Sequence, residues 1–474
     1  MSAKFLTSLL SAGLLPAIGE GAAARPQPGP NVIIIFLDDS GYGDWGCYGN
    51  TLNRTPAVDQ MAAEGVRFTD FYVSSGGSTP SRSSLMTGCY SQRISMHISG
   101  DPTPLMSPGR QVLFPASPKG LNPSEITIAE MLKEQGYVTA CIGKWHLGDQ
   151  LPFLPTRQGF DYYYGIPYSN DMNRDFCPLP LMEQEEVAVA PVGQDSLTLR
   201  YTARAVEFIH KNRDKPFFLY LAHNMPHNPQ AASPTFKGRS KNGLYCDAIE
   251  ELDWSTGEIL ALLKREGLDE KTLVIFTSDN GAAPRFGGTN LPLRGWKGST
   301  DEGGQRVPCI VRWPGRIAAG RVCKEVATSM DIFPTIAYYC HGKVPTDRII
   351  DGKNIAPLLE GERGAKSPTE LFYYYQRQQL QAVRWGKWKY HLPLTEKIMN
   401  VNTAQTAPSQ AELYDLDNDI SESNNIVAQH PEIVAQMEIF IRNVREDIGD
   451  WGYEGKNRRP AGVIDEPFPR LLRK

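Results

Sequence analysis

Apolar residues fall along the chain in two kinds of segment. Residues 31–39 (NVIIIFLDD), 137–142 (YVTACI), 216–222 (PFFLYLA) and 272–278 (TLVIFTS) are apolar runs without regular polar alternation. Such runs fit central parallel strands covered on both faces. Between them the spacing is helical. Residues 55–64 open with Thr55-Pro56, a cap followed by proline at the first helical position, and stop at Gly65. Segments 124–135, 197–212 and 245–266 repeat the helical period. In the last, Ile249, Leu252, Ile259, Leu260 and Leu263 make one apolar face. The pattern predicts an α/β fold in which a large, mixed, mostly parallel sheet is sandwiched by helices.

Residues 66–73 read as a further strand, 307–313 as another, and 330–340 as a helix that completes the larger domain. After the polar stretch 364–368 the pattern changes to short β-segments at 370–375, 381–385, 387–392 and 412–416, followed by a helix at 433–445. Strands followed by one helix predict a smaller C-terminal antiparallel sheet with that helix packed on it. The expected division is 1–24 signal peptide, 25–365 catalytic domain and 366–474 C-terminal subdomain. Segment 149–190 loses its period and is expected to be irregular, with Tyr162, Tyr163, Tyr164, Tyr168 and Phe176 walling a site.

Lys4, the apolar run 5–18 and the small residues Ala22-Ala23-Ala24 form a cleavable secretion signal, which predicts a secreted or periplasmic protein. No later run approaches the ~20 apolar residues of a membrane-spanning helix. At 474 residues the chain exceeds one ordinary core. A net charge of −4 argues against nucleic acid as a partner, so an anionic substrate must be held by local cations. Eight cysteines with no Cys-x-x-Cys pair leave free thiols or one or two bridges equally open.

The chemistry collects at strand ends, where ligands bind in open α/β sheets. Asp38 and Asp39 end the first strand, and Asp279 and Asn280 end the fourth. Together they form an all-oxygen set suited to Ca²⁺, or to Mg²⁺. Lys144 and His146 follow the second strand, two residues apart, and converge on one site if the chain stays extended. His223 and His227 follow the third. Lys297 lies in a loop, 285–306, rich in glycine and cations, and Asp171, Asn173 and Arg174 are candidate substrate contacts in the aromatic segment. Gln376, Arg377 and Gln378 are expected to edge the pocket from the C-terminal side. Ser78-Thr79-Pro80-Ser81-Arg82 joins a potential nucleophile, a turn-fixing proline and a cation ahead of an apolar patch. That order puts Ser78 at or near a helix N-terminus, which favours an anion.

The stretch from Ser78 through Pro80-Ser81-Arg82 to Thr87-Gly88 resembles the sulfatase activation sequence in its serine form. Gly143-Lys144-Trp145-His146-Leu147-Gly148, His227 ahead of x-Pro, Lys297 with its flanks, and Leu413-Tyr414-Asp415-Leu416 are similar to further sulfatase motifs in family order. The resemblance covers nearly the whole chain after the signal. It points to the type I sulfatases of the alkaline-phosphatase-like superfamily, near the arylsulfatase A and N-acetylgalactosamine-6-sulfatase branch.

The resemblance implies a sulfuric ester hydrolase whose Ser78 is oxidised to formylglycine by a serine-type maturation enzyme, as in bacteria. A hydrated aldehyde has two hydroxyls, one to attack sulfur and one to expel sulfate by collapse. It implies Ca²⁺ on Asp38, Asp39, Asp279, Asn280 and the modified Ser78. Arg82 and Lys144 would orient the hydrate, Lys144, His227 and Lys297 would surround the sulfate, and His227 or Lys297 would protonate the leaving oxygen. His146 would assist the collapse. His223 falls off the pattern and is assigned to sugar hydroxyls, beside Asp171 and Arg174. The implied substrate is sulfated galactose or N-acetylgalactosamine at a chain end of a host glycan, mucin or glycosaminoglycan. Two alternatives stand: a phosphatase or phosphonate hydrolase of the same superfamily, and a catalytically silent glycan-binding protein with Ser78 unmodified.

Overall fold

The apolar run that opens the chain's first strand, β1 (Asn31–Asp38), lies at the centre of a sheet that has ten strands among the described residues. The computed structural model describes residues 29–100, 110–399 and 406–473, so the expected signal peptide at 1–24 lies outside them. Val32, Ile34 and Phe36 enter one core cluster, while Ile33, Ile35 and Leu37 enter the other. Both faces of β1 are therefore dry, which is why its run lacks polar alternation.

Across the sheet the order is Arg321–Cys323, Val66–Phe68, Cys309–Arg312, Thr272–Ser278, β1, Phe217–Pro226, Val138–Gly143, Tyr162–Gly165, Leu181–Glu183 and Glu186–Val189. Five consecutive strands, from Thr272–Ser278 to Tyr162–Gly165, run parallel. Ile33, for example, stands between Val274 and Leu219. Helices α1 (Pro56–Ala63), α4 (Leu197–Lys211) and α5 (Leu244–Arg265) cover one face through Val58, Tyr201 and Ile249. Helices α2 (Ser78–Thr87) and α3 (Ile128–Glu134) cover the other through Leu85 and Leu132.

Three expectations need correction. Segment 149–190 is not irregular throughout: it supplies the three strands that extend the sheet, because Tyr162-Tyr163-Tyr164 suits a half-buried pleat better than a loop. The strand expected at 66–73 breaks at Thr69-Asp70, where the Asp70 carboxylate turns to Arg306 and Arg384 at 2.8 and 3.0 Å. The helix expected from 124 starts at Ile128, since Thr127 caps it and exchanges hydrogen bonds with Glu130 in a capping box.

Strands Leu371–Gln376, Gln379–Trp385, Trp388–His391 and Glu412–Asp415 form an antiparallel sheet in that order. Met437, Ile441 and Val444 of helix Pro431–Asp447 fill its core together with Tyr72, Tyr90 and Met330 of the larger part. Beyond that helix the chain returns to the larger part. Gly462 and Val463 pair with Gly120 and Lys119, and Arg470 Nε donates to the Asp149 carbonyl at 2.6 Å. All eight cysteines are free.

Candidate active site

Four adjacent parallel strands deliver their carboxyl ends to one place. β1 brings Asp38 and Asp39, Thr272–Ser278 brings Asp279 and Asn280, Val138–Gly143 brings Lys144 and His146, and Phe217–Pro226 brings His227. Ser78 is the first residue of α2, a helix buried along its whole length, and is itself 3% exposed. Its hydroxyl stands 2.7 Å from Asp279 Oδ2 and 3.1 Å from Asp38 Oδ1. Lys144 Nζ donates to Asp38 Oδ2 at 2.7 Å and reaches Ser78 Oγ at 3.2 Å.

Arg82 lies one helical turn after Ser78 and so shares its side of α2. Its Nε and Nη2 donate to Asp279 Oδ2 at 3.2 and 2.9 Å, and its Nη1 donates to the Lys144 carbonyl at 3.1 Å. Lys297 Nζ donates to Asp39 Oδ2 at 2.8 Å, and His227 Nε2 lies 3.7 Å from the same oxygen. Three buried carboxylates thus meet three cations. Burial works against ionised Asp38, but Lys144, His227 and Arg82 outweigh it and hold its pKa below the usual range. Asp39 is likewise held low against burial by Lys297 and His227. Burial draws the Lys144 ammonium down from its usual range, with Asp38 offsetting part of the effect. Burial also opposes the Lys297 ammonium, yet Asp39 and Asp38 carry its pKa above the usual value.

The strand before Lys144 ends at Gly143, so simple extension does not explain how Lys144 and His146 converge. Gly143 has φ +117° and His146 φ +63°, so the backbone leaves the extended conformation at both. A Cβ at Gly143 would collide with the Ala222 carbonyl, the group that accepts the Lys144 N–H at 2.7 Å. His146 Nε2 sits 3.0 Å from the Leu113 carbonyl. A carbonyl only accepts, so Nε2 carries the hydrogen and Nδ1, buried without a partner among the described residues, keeps its lone pair. Burial and then Lys144 depress the His146 pKa far below its ordinary value.

Two joined cavities open over these groups. The inner one, about 280 Å³, reaches Ser78 and His146; the outer one, about 520 Å³, is walled by Phe286, Trp296 and Met399. Asp171, His227 and Lys297 line both, and Arg174 lines the inner one. The structure does not bring His223 there. Its strand continues to Pro226, and alternation turns His223 to the side of Leu221 and Met225, where Nε2 lies 3.2 Å from Ser255 Oγ on α5. Burial takes the pKa of His223 down to about 3. Asn173 is also absent from the lining, because its Oδ1 accepts the Leu179 N–H at 2.8 Å and shapes a turn. Gln376, Arg377 and Gln378 lie at the buried turn joining two C-terminal strands, and none lines either cavity.

Sequence reasoning missed several groups that the fold brings in. Tyr220 reaches Arg82 Nη1 through its hydroxyl at 3.3 Å, and Ser169 Oγ lies 3.4 Å from Lys144 Nζ. A lone tyrosine hydroxyl inside an otherwise apolar strand was the available signal for the first; nothing local marks the second. Arg110, Phe114, Arg285 and Phe286 also line the cavities.

The residues fit a hard divalent cation. Asp38, Asp39 and His227 each bring a ligand atom within 4.8 Å of the others. Asp279 adds a carboxylate at the same place, and Asn280 Oδ1 is buried with no partner among the described residues. Carboxylate and amide oxygens in this proportion suit Ca²⁺ or Mg²⁺. A second cluster, Asp301, His391 and Glu422, is different: Lys389 Nζ, 2.9 Å from Glu422 Oε1, already neutralises it.

Comparison with known proteins agrees with this geometry. A family model described as Sulfatase matches residues 30–341, and one described as N-sulphoglucosamine sulphohydrolase, C-terminal, matches 297–447. Arylsulfatase A of Homo sapiens is 38% identical over 455 residues, covering 87% of this chain and 86% of that protein. N-acetylgalactosamine-6-sulfatase of Canis lupus familiaris is 38% identical over 396 residues, covering 80% and 74%. A solved sulfatase from work on glycosaminoglycan metabolism by Bacteroides thetaiotaomicron superposes with a TM-score of 0.76 at 29% identity, covering 88% of this chain and 100% of that one.

Proposed function

The chain belongs to the sulfatase family of sulfuric ester hydrolases, and we propose that it removes sulfate from a sulfated carbohydrate, using formylglycine made from Ser78 and a bound Ca²⁺. The observation that carries this reading is the position of Ser78. It stands at the inner end of the cavity, 2.7 Å from Asp279 Oδ2 and 3.2 Å from Lys144 Nζ.

Asp38, Asp39, Asp279 and Asn280 would hold the cation, which would supply polarisation of the sulfate oxygens. Formylglycine, as its hydrate, supplies a hydroxyl to attack sulfur and a second to release sulfate. Lys144 holds the oxygen at position 78 directly and Arg82 orients it through Asp279, which both contact, in a pocket where water is largely excluded and fixed charges act strongly. Lys297 and His227 line both cavities, where an ester would pass from the outer to the inner one, so they bind its sulfate, and His227 or Lys297 gives a proton to the departing oxygen. His146 takes a proton at Nδ1, with Nε2–H anchored on the Leu113 carbonyl.

The substrate proposed is sulfated galactose or N-acetylgalactosamine at the end of a host glycan. Relatedness to N-acetylgalactosamine-6-sulfatase supports the sugar, and the bounded cavity supports a terminal residue. The protein is secreted or periplasmic and is matured by a serine-type enzyme that makes formylglycine. The test is sulfate release, with Ca²⁺ present and such a maturation enzyme co-produced, from 3-, 4- and 6-sulfated galactose, N-acetylgalactosamine and N-acetylglucosamine. Release from one galacto-configured sugar is expected. No release from any, with the aldehyde confirmed at position 78 by peptide mass, overturns the substrate assignment; an intact alcohol at 78 in protein from its natural host overturns the maturation step.

A further inference from the structure

Three exposed arginines stand at the cavities with no carboxylate paired to them among the described residues. Arg110 and Arg174 line the inner cavity and Arg285 the outer one. The Arg110 guanidinium lies 4.4 Å over the Phe114 ring and that of Arg285 4.6 Å over the Phe286 ring. Arg174 Nη1 donates to the backbone carbonyls of Asp171 and Asn173, each at 3.0 Å. Among the described residues none of the three makes an ion pair, whereas Arg82, Arg93, Arg306 and Arg312 are all paired.

The charge around the two cavities is correspondingly one-sided. Their carboxylates are Asp39 and Asp171, and Asp39 is matched by Lys297 at 2.8 Å. Among the described lining residues, three guanidiniums therefore stand against one unmatched carboxylate, Asp171, in a chain whose net charge is −4. A guanidinium with one face on an aromatic ring keeps its edge donors free as a planar fork, which matches the two oxygens of a carboxylate or sulfate. The sulfate to be cleaved already has Lys144, Lys297 and His227, so these arginines are surplus to a substrate with a single charge. Trp296, 61% exposed on the wall of the outer cavity, offers a flat apolar surface for the sugar ring between the charges.

We propose that Arg110, Arg174 and Arg285 receive a second acidic group of the substrate, a sulfate or carboxylate beside the ester that is cleaved. This rests on the sulfatase reading and narrows its substrate from sulfated sugars in general to doubly acidic ones. The two sources of that chemistry are another sulfate on the same sugar and a uronate on its neighbour.

The test measures binding and reaction separately. Calorimetry on the full chain carrying Ser78, with Ca²⁺, compares singly sulfated N-acetylgalactosamine, the doubly sulfated sugar, and a disaccharide of the singly sulfated sugar with a uronate. At least one doubly acidic ligand is expected to bind about tenfold or more tightly than the singly sulfated one, as one charge-assisted contact would give; which of the two does so identifies the source. In Arg110→Gln, Arg174→Gln and Arg285→Gln this ratio falls towards one in at least one variant. Equal binding of all three ligands to the parent protein overturns the proposal, as does a ratio that survives all three substitutions. Sulfate release from these same ligands by the matured protein tests the proposed reaction apart from this: no release, with the aldehyde confirmed at position 78 and the binding ratio intact, sinks that reaction and leaves the two-anion binding site standing.

Discussion

Lys389 Nζ lies 3.0 Å from Glu302 Oε1, and both side chains are wholly out of solvent. The same ammonium sits 2.9 Å from Glu422, while Glu302 accepts hydrogen bonds from the hydroxyls of Tyr72 and Tyr374. One buried cation therefore joins the C-terminal sheet to the loop that carries Lys297. Lys389→Met should leave two buried carboxylates short of a partner and cost about 3 kcal/mol of stability. A urea titration checks this, and a loss below about 1 kcal/mol would mean that Arg306 and Arg294 suffice.

Acid should weaken the same junction. Burial opposes ionisation of Asp301, but His391, Arg294 and Lys389 bring its pKa down to about 2. Glu302 and Glu422 are also held below the usual range, each against burial, with Lys389 the leading cause. A carboxylate with a depressed folded pKa contributes stability above its unfolded pKa and loses it as pH falls towards the folded value. Unfolding free energy should accordingly decline between about pH 5 and pH 2, with about 2 kcal/mol of the loss from Asp301. The Asp301→Asn variant should show a shallower decline over that window.

The Lys297 loop is held from outside the catalytic part. Thr300 Oγ1 donates to Gln381 Oε1 at 2.8 Å, and Arg294 reaches the Tyr414 hydroxyl at 2.9 Å. Arg294→Met should raise KM for a sulfate ester about tenfold, as expected for a misplaced cation worth about 1.4 kcal/mol. Unchanged KM and kcat would mean that the loop's hold on Lys297 does not depend on this arginine.

Gly143→Ala should be costly out of proportion to its size. Its left-handed backbone angle and the Ala222 carbonyl leave no room for a methyl group. Strain alone is worth about 1–3 kcal/mol, and relief would move the Lys144 N–H off that carbonyl. A lower melting temperature together with lost sulfate release is the expected pair of results.

Calcium should stabilise the fold if the oxygen set holds it. Ligand at about 100 times its Kd adds about 2.7 kcal/mol. Thermal unfolding with Ca²⁺ and with EDTA measures the difference, which Asp279→Asn should shrink. An unchanged melting temperature in the parent protein would refute the cation assignment.

Much of this architecture could be read from the chain. The buried strands announced themselves as unalternating apolar runs, and the polar residues immediately after them were the ones the sheet gathered, because adjacent parallel strands end side by side. What failed was whatever depended on the direction of one side chain or on distant chain returning. His223 looked like part of a strand-end cluster, but four more strand residues turned it towards α5. The strands within 149–190 are short segments towards one edge of the sheet whose pairing no local period reveals. Arg110 and Arg285 carry no local mark that separates them from other surface arginines, since what sets them apart is the charge that is missing around them.

The burial of α2 also sets an order of events. Ser78 is the first residue of a helix with no exposed side, packed beneath strands that lie far from it in sequence. An enzyme that must draw this side chain into its own active site cannot do so once Asp279 and Lys144 have closed around it. The modification proposed for Ser78 would therefore belong to the brief life of the chain before the strands from residue 138 onward have assembled, and speed of folding would compete directly with it. A variant that folded faster could leave more of its molecules permanently unfinished.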